Sequence, residues 1–199
     1  GEASSAMKKL RDSGLDDVIP KLKQPVLGIC LGMQLLCNST EENNTKGLGV
    51  FNTNVKRFQN NVKVPQISWN TITNLNSKLF KNINENEFMY LVHSYYAENC
   101  SEQIAITNYG LAYAAALQKD NFYGVQFHPE KSCLTLNQLM RHSPLTGRLW
   151  IAGDGGIVSL NHDMKSFTDH TNMGISEIYK MSQSPFYNDA ILNGYQDCG

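Results

Sequence analysis

The chain has 199 residues, of which 41% are hydrophobic and 18% charged, and its formal net charge is -1. This length and composition suit one folded domain and part of another. The charge excludes the basic footprint of a nucleic-acid-binding domain and the polybasic signal of a membrane-surface protein. The sequence contains neither a signal peptide nor an apolar run near the ~20 residues of a membrane span.

The cysteines are odd in number, scattered and without C-x-x-C spacing: Cys30, Cys37, Cys100, Cys133 and Cys198. This pattern argues against a disulfide framework and against a zinc site. It suits a reducing compartment, so the sequence predicts a cytoplasmic location.

The first predicted element is a helix that begins at Ser4 or Ser5 as its N-cap and runs to about Ser13. Gly14 follows as the residue that ends it. Residues 16–19 predict a short helical turn, which Pro20 should end.

A strand-to-helix turn is predicted next. An apolar strand begins at Pro25, and helix-forming residues continue to Leu36. Between them stands Gly28-x-Cys30-x-Gly32. Glycines on both sides allow a sharp elbow, because the backbone there comes close to its neighbours and a Cβ would clash. Such an elbow pushes its central side chain out of the turn and leaves the following backbone N–H groups free. Cys30 is therefore a candidate nucleophile, with a buried structural cysteine as the alternative.

The middle of the chain is strand-rich. Residues 38–46 are polar and predict a loop. Strands are then expected at 49–51, 55–58, 62–69, 88–96, 103–107, 111–117 and 122–127, separated by Asn, Gly and Asp turns. This alternation predicts an α/β sheet with antiparallel additions.

A second candidate group follows the last of these strands. His128-Pro129-Glu130 places a histidine at a strand end and a carboxylate two residues later. Such a pair can act as a base and the residue that orients it. A simple turn histidine is the alternative, and spacing alone does not bring His128 near Cys30.

Together, the segment Gly28-Ile29-Cys30-Leu31-Gly32-Met33-Gln34 and His128-Pro129-Glu130 resemble the class I (triad) glutamine amidotransferases. Within that family, residues 65–70 (PQISWN), 92–96 (VHSYY) and 128–132 (HPEKS) are similar to the glutaminase subunit of imidazole glycerol phosphate synthase. The resemblance covers residues 1–132, since Gly1-Glu2-Ala3 matches the end of another family segment.

This resemblance implies a flavodoxin-like α/β sheet, here N-terminally truncated. It implies hydrolysis of L-glutamine to glutamate and ammonia, and a heterodimer with a (β/α)₈-barrel cyclase subunit. The ammonia would help to make imidazole glycerol phosphate and an aminoimidazole carboxamide ribotide in histidine biosynthesis. Neither a metal nor an organic cofactor is implied, and neither nucleic acid nor membrane is an expected partner.

The resemblance also assigns catalytic roles. Cys30 matches the nucleophile, His128 the general base and then acid, and Glu130 the residue that orients His128. The backbone N–H groups of Leu31 and Gly1 match the oxyanion hole.

Four further residues match substrate contacts. Gln34 matches a glutamine that contacts the substrate, although alone it would be interpreted as an exposed helix residue. Glu42 matches a carboxylate that holds the α-amino group, and only alignment favours it over Glu41. Ser94 and Tyr95 match the segment that holds the carboxylate end.

Residues 133–199 are expected to form a second, β-rich unit. Residues 133–142 predict a weak helix and 149–158 a β-hairpin. The hairpin is similar to the strand and turn of β-propeller blades, and residues 175–179 with 193–199, which include the turn Asn193-Gly194, resemble sortilin-like and BNR-type propeller repeats. Two alternatives stay open: a glutaminase of another synthase (anthranilate or guanylate), which 65–70 argues against, or a non-catalytic chimera with a propeller fragment.

Overall fold

The computed structural model describes residues 2–129, 131–132, 149–153, 156–160 and 167–169. Its helices are α1 (Ala3–Asp12), α2 (Leu15–Val18) and α3 (Leu31–Leu36). Its strands are β1 (Val26–Ile29), β2 (Cys37–Thr40), β3 (Thr45–Lys46), β4 (Phe51–Arg57), β5 (Gln66–Ile72), β6 (Glu87–His93), β7 (Tyr95–Ala97), β8 (Gln103–Asn108), β9 (Ala112–Lys119), β10 (Phe122–Val125), β11 (Leu149–Gly153), β12 (Gly156–Leu160) and β13 (Phe167–Asp169).

Eleven of the described strands form one mixed sheet in the order β13-β12-β11-β1-β10-β9-β7-β4-β2-β3, with β8 beside β9. Strand β1 pairs in parallel with β10, from Val26 opposite Phe122 to Ile29 opposite Val125. Strands β9 and β10 are antiparallel. The predicted α/β sheet with antiparallel additions is confirmed.

Strands β5 and β6 form a separate antiparallel pair, in which Gln66 lies opposite His93.

The hydrophobic core lies on both faces of the sheet. Val26 belongs to the cluster that packs around α1 and α3, and its neighbour Leu27 belongs to the cluster on the other face. Both side chains are 3% exposed. Because successive strand residues point to opposite faces, β1 is covered on both sides. The site at its end therefore stands on a rigid central strand.

Close packing of α3 on the sheet depends on two glycines. A Cβ atom on Gly28 would lie 2.7 Å from the backbone of Gly32, and one on Gly124 would lie 2.4 Å from Met33 Cγ. At Gly28 the contact is with backbone, so a side chain there would displace the start of α3, whereas at Gly124 the Met33 side chain would have to move. The clash predicted for a Cβ in the elbow is confirmed at Gly28.

The first helix begins differently from the prediction. Its N-cap is Glu2, whose carboxylate accepts hydrogen bonds from the backbone N–H groups of Ser4 (3.2 Å) and Ser5 (3.1 Å). Glu2 bonds the N–H groups two and three residues after the cap, which are the positions that a serine N-cap would also bond. Gly14 adopts φ 70°, as expected after the helix. The helical segment does not end at Pro20, as predicted, because Pro20 lies within a 3₁₀ turn, Ile19–Lys21, that follows α2.

The prediction of a loop over residues 38–46 is wrong. Strands β2 and β3 and a 3₁₀ turn, Glu42–Asn44, occupy this segment. Thr40 and Thr45 are buried, and β2 pairs in parallel with β4. The polar composition of this segment gives no sign of a strand, because the strand that pairs with β2 is β4, which lies later in the chain. The two strands expected at 49–51 and 55–58 are the single strand β4 (Phe51–Arg57), and Ser94 divides the strand expected at 88–96 into β6 and β7.

Strands β11 and β12 form the antiparallel hairpin that was predicted for residues 149–158. Strand β11 also pairs in parallel with β1, with Val26 opposite Trp150 and Gly28 opposite Ala152. The helix expected at 133–142 and the turn Asn193-Gly194 lie outside the described residues, so the propeller resemblance stays a prediction. None of the described helices has the length and apolar character needed to cross a membrane.

Candidate active site

The nucleophile elbow holds Cys30 in an uncommon backbone conformation. Its φ is 50° and its ψ is -108°, between the end of β1 and the first residue of α3. Its backbone N–H donates to the carbonyl of Val125 (2.8 Å), so that β10 fixes the turn. A positive φ is costly for a residue with a Cβ and persists where the surrounding structure enforces it. The pairing with β10 therefore holds Cys30 in this conformation.

Two groups lie at the Cys30 sulfur, and the side chain as a whole is 8% exposed. The amide nitrogen Nε2 of Gln126 donates to Sγ at 3.6 Å. The carbonyl oxygen of Val92, on β6, lies 4.0 Å from Sγ, where it can accept from the thiol. Gln126 was missed by sequence reasoning. Its signal was a glutamine at the end of an apolar strand, two residues before His128.

His128 lies at the same end of the sheet as Cys30. It follows β10, which is the parallel neighbour of β1, and it is 6% exposed. Its backbone N–H donates to the carbonyl of Tyr90 on β6 (2.9 Å). Strand β6 thus contacts Cys30 through Val92 and His128 through Tyr90. Cys30 follows β1 and His128 follows β10, so both groups lie at the carboxyl ends of neighbouring parallel strands, where β6 contacts each of them.

A tight turn fixes the backbone after His128. Its carbonyl accepts from the backbone N–H groups of Lys131 (3.1 Å) and Ser132 (3.0 Å) and from the Ser132 hydroxyl (2.7 Å). The Ser132 hydroxyl also accepts from the N–H of Tyr90 (3.1 Å). Glu130 and Gly1 lie outside the described residues, so their roles stay predictions, as does the oxyanion role of Leu31.

Gln34 points into the protein. It is 4% exposed, and its Nε2 donates to the backbone carbonyl of Tyr95 (2.8 Å) and to Oε1 of Gln126 (3.0 Å). The interpretation as an exposed helix residue is therefore wrong. Because both hydrogen bonds use its nitrogen, the oxygen Oε1 is the atom through which Gln34 would contact a substrate.

The backbone acceptors of the Ser94–Tyr95 segment already have partners. The Ser94 carbonyl accepts from the N–H of Phe58 (3.0 Å), and the Tyr95 carbonyl accepts from Gln34 and from Nδ1 of His93 (2.8 Å). A substrate carboxylate requires donors and not acceptors. A contact with it at this segment would have to come from N–H or hydroxyl groups.

The two adjacent glutamates have different surroundings. Glu41 is exposed and its carboxylate accepts from Lys56 Nζ (3.2 Å) and from the N–H of Arg57 (2.8 Å). Glu42 is half-buried and accepts from the N–H of Ala3 (2.7 Å) at the start of α1. The structure therefore ties Glu42 to the N-terminal helix, next to Gly1 in sequence. Its substrate role stays a prediction.

A buried polar network stands behind the site. His93 Nδ1 bonds the Tyr95 carbonyl (2.8 Å), its Nε2 lies 3.1 Å from the Tyr113 hydroxyl, and that hydroxyl also contacts the side-chain amide of Gln66 (2.8 Å). Burial, with a smaller contribution from the nearby His128, lowers the pKa of His93 to about 4. His93 is therefore neutral at pH 7, and its proton lies on Nδ1 because a carbonyl only accepts.

The described residues contain no cluster of three or more His, Cys, Asp or Glu side chains that could hold a metal ion. The chemistry available at this edge is that of a cysteine, a histidine and amide donors. Such groups are suited to nucleophilic attack on an acyl carbon.

The sequence matches the family model of glutamine amidotransferase class-I over residues 13–142. The chain belongs to the class-I glutamine amidotransferase family. The resemblance noted from the sequence is thereby confirmed. The crystal structure of a putative GMP synthase protein from Thermoplasma acidophilum has the same fold, with a TM-score of 0.51 and 17% identity over 71% of this chain and 65% of that one.

Curated relatives within the family are much closer in sequence. Imidazole glycerol phosphate synthase subunit HisH of Bacteroides fragilis is 53% identical over 135 residues, which are 66% of this chain and 69% of that protein. HisH of Bacteroides thetaiotaomicron is 49% identical over 145 residues, and HisH of Buchnera aphidicola is 46% identical, each covering 71% of this chain and 74% of the relative. This amidotransferase is of the HisH type.

Proposed function

We propose that this chain is the glutaminase subunit of an imidazole glycerol phosphate synthase and hydrolyses L-glutamine to glutamate and ammonia. The observation that carries the proposal is Cys30, held at φ 50° between Gly28 and Gly32 at the end of a central parallel strand. The HisH relatives support the pathway, histidine biosynthesis, and a cytoplasmic location.

The reaction begins with attack of the Cys30 sulfur on the side-chain amide carbon of glutamine. Backbone N–H groups of Leu31 and Gly1 stabilise the tetrahedral oxyanion. His128 takes the thiol proton and delivers it to the leaving ammonia, with Glu130 orienting its ring. Water, activated by His128, then hydrolyses the γ-glutamyl thioester and regenerates the thiol.

Substrate binding is assigned to residues around the elbow. Gln34 contacts glutamine through Oε1, Ser94 and Tyr95 supply donors to the carboxylate end, and Glu42 accepts from the α-amino group. Gln34 and Tyr95 support this assignment by their contact with each other beside Gln126 and Cys30. Polar side chains connected in this way can orient the amide at one end of a substrate.

The ammonia passes to a cyclase subunit of (β/α)₈-barrel type, bound as a heterodimer. Its proposed docking surface is the outer side of β5 and β6, where Ile67 (60%), Trp69 (48%) and Phe88 (57%) are exposed. Exposed apolar groups of this size on neighbouring strands are typical of protein interfaces. The Trp69 ring lies 5.7 Å from that of Tyr90, which in turn lies 6.5 Å from His128.

This position suits transfer of a small product. Strand β6 contacts Cys30 and His128 through its backbone and carries Phe88 on its outer side. Lys131 lies with its Nζ 5.5 Å from the Tyr90 ring centre and adds a positive charge to the edge of the surface. Ammonia released at Cys30 would therefore emerge beside the bound partner.

Covalent labelling tests the proposed nucleophile. A diazo-ketone analogue of glutamine should label Cys30 and spare Cys37 and Cys100, because burial raises the pKa of both other thiols. Cys133 and Cys198 should also remain unlabelled. Labelling that survives Cys30→Ala refutes the assignment.

Binding measurements test the docking surface. Trp69→Lys and Phe88→Lys should each weaken binding of the cyclase by at least tenfold, since buried aromatic residues dominate interfaces. Val18→Lys is the matched control, because Val18 is 49% exposed but lies on α2. Equal effects of all three substitutions contradict the proposed surface.

A further inference from the structure

Gln126 is a fully buried polar side chain whose position is fixed on both sides. It is 0% exposed, and its backbone N–H donates to the carbonyl of Ala115 on β9 (2.9 Å). Gly124, two residues earlier, faces α3 and contacts Met33. Since side chains alternate along a strand, Gln126 points to the same face, toward the elbow. A buried amide requires partners for both its oxygen and its nitrogen.

The polarity of the Gln126 amide follows from a chain of hydrogen bonds. The carbonyl of Tyr95 can only accept, so the group of Gln34 that faces it at 2.8 Å is the NH₂. The same NH₂ lies 3.0 Å from Gln126, which therefore presents its oxygen there. The NH₂ of Gln126 then faces Sγ of Cys30 at 3.6 Å. The Tyr95 carbonyl therefore fixes the orientation of the Gln34 amide, which fixes that of the Gln126 amide, so that the NH₂ of Gln126 faces the Cys30 sulfur.

We propose that Gln126 positions the Cys30 sulfur and stabilises it as the thiolate that attacks glutamine. This inference rests on the proposed function, in which Cys30 is the nucleophile. An N–H donor favours the anion, because a thiolate accepts hydrogen bonds more strongly than a thiol. The Val92 carbonyl at 4.0 Å has the opposite preference, since it can only accept from the neutral thiol. Gln126 supplies the donor that opposes it.

The two contacts act on different protonation states of one atom. When His128 takes the thiol proton, Cys30 loses its hydrogen bond to Val92 and retains the one from Gln126. No atom of Gln126 has to move, because Gln34 already fixes its amide. Such fixed donors lower the cost of forming charge in a buried site.

The test is the pH dependence of Cys30 alkylation by iodoacetamide in the full chain, measured for each cysteine peptide by mass spectrometry. Gln126→Met keeps the length of the side chain and removes the donor. Gln126→Glu keeps an acceptor for Gln34 and places a carboxylate at the sulfur. We expect the midpoint to rise by about one pH unit in Gln126→Met, and further in Gln126→Glu, since a hydrogen bond to an ion is worth about tenfold.

The control is the same substitution on the neighbouring strand. Gln118 lies on β9 and bonds the Ser77 hydroxyl (2.5 Å), so Gln118→Met should leave the Cys30 profile unchanged. Circular dichroism establishes which variants are folded. If Gln126→Met does not fold, the alkylation profile of Gln126→Glu tests the proposal. A wild-type midpoint in a folded Gln126 variant, or an equal shift in Gln118→Met, overturns the proposal.

Labelling by the diazo-ketone analogue separates this inference from the function on which it rests. If the analogue labels Cys30 in the wild type but the Gln126 variants keep the wild-type profile, only the role of Gln126 fails. If the analogue does not label Cys30, the proposed function fails as well.

Discussion

Gly28→Ala tests whether the elbow depends on direct contact between two backbone segments. The new Cβ would lie 2.7 Å from the carbonyl carbon and oxygen of Gly32 and 2.8 Å from the nitrogen of Met33. All three are backbone atoms, so no side-chain rotation relieves the contact. Reaching an ordinary separation requires a shift of about 0.7 Å at the start of α3. Overpacking of this kind costs roughly 1–3 kcal/mol of unfolding free energy.

The same shift should affect activity, because α3 begins directly after Cys30. A misplacement approaching 1 Å at a reacting group reduces the rate by up to about 10²-fold. We therefore expect the melting temperature to fall by roughly 5 °C. We also expect the rate of Cys30 labelling by the glutamine analogue to fall by up to about 10²-fold.

Gly14→Ala is the control for this experiment. Gly14 has φ +70° and no heavy atom within 4 Å of its added Cβ. It should lose about 1 kcal/mol from backbone strain alone and keep the wild-type labelling rate. Wild-type labelling and stability in Gly28→Ala would refute the close-contact argument.

Two further predictions concern the histidines. In the complex with the cyclase, His128→Asn should reduce glutaminase activity by more than the ~10²–10⁴ of a typical acid–base group, and Glu130→Gln by less, because a Cys–His pair acts as a unit; equal, negligible losses contradict the triad. For His93, the folded pKa of about 4 lies below the ordinary 6.5. The unfolded chain therefore binds the proton first, and stability is lost as the pH falls from 6.5 to 4, by up to roughly 3 kcal/mol. Urea denaturation at several pH values should show this component in the wild type and not in His93→Gln; equal pH slopes would contradict it.

The sequence predicted the features of the fold that depend on neighbouring residues. The elbow is one, since Gly28 and Gly32 lie four residues apart and contact each other directly. Strand β10 is another, because its apolar run needs no distant information to be identified. Strand β2 was missed because its stability comes from β4 and from burial of Thr40. Threonine in a polar segment gives no local sign that it is buried.

The same distinction applies to the site. Cys30 and His128 could be proposed because each lies in a distinctive local segment. The contacts that surround the sulfur join residues 62 and 96 positions apart along the chain, namely Val92 and Gln126 with Cys30. No pattern of spacing predicts which of many polar residues meet in this way. Gln126 became identifiable only when β1 and β10 were found side by side.

Residues 133–199 are predicted to form a unit separate from residues 1–132, and the pairing of β11 with β1 gives that prediction a quantitative test. Three residue pairs join the two strands, from Val26 with Trp150 to Gly28 with Ala152. With about one hydrogen bond for each residue pair and a net ~1 kcal/mol for each bond, the backbone pairing supplies about 3 kcal/mol, which corresponds to a dissociation constant weaker than ~1 mM. Limited proteolysis should cut within 133–147, and at about 10 μM the two fragments should separate on gel filtration, because cleavage removes the covalent link that kept their effective concentration high. The front fragment should keep Cys30 reactive toward the glutamine analogue. Resistance of 133–147 to cleavage, or co-elution of the fragments, would show that the β-rich tail is part of the amidotransferase domain.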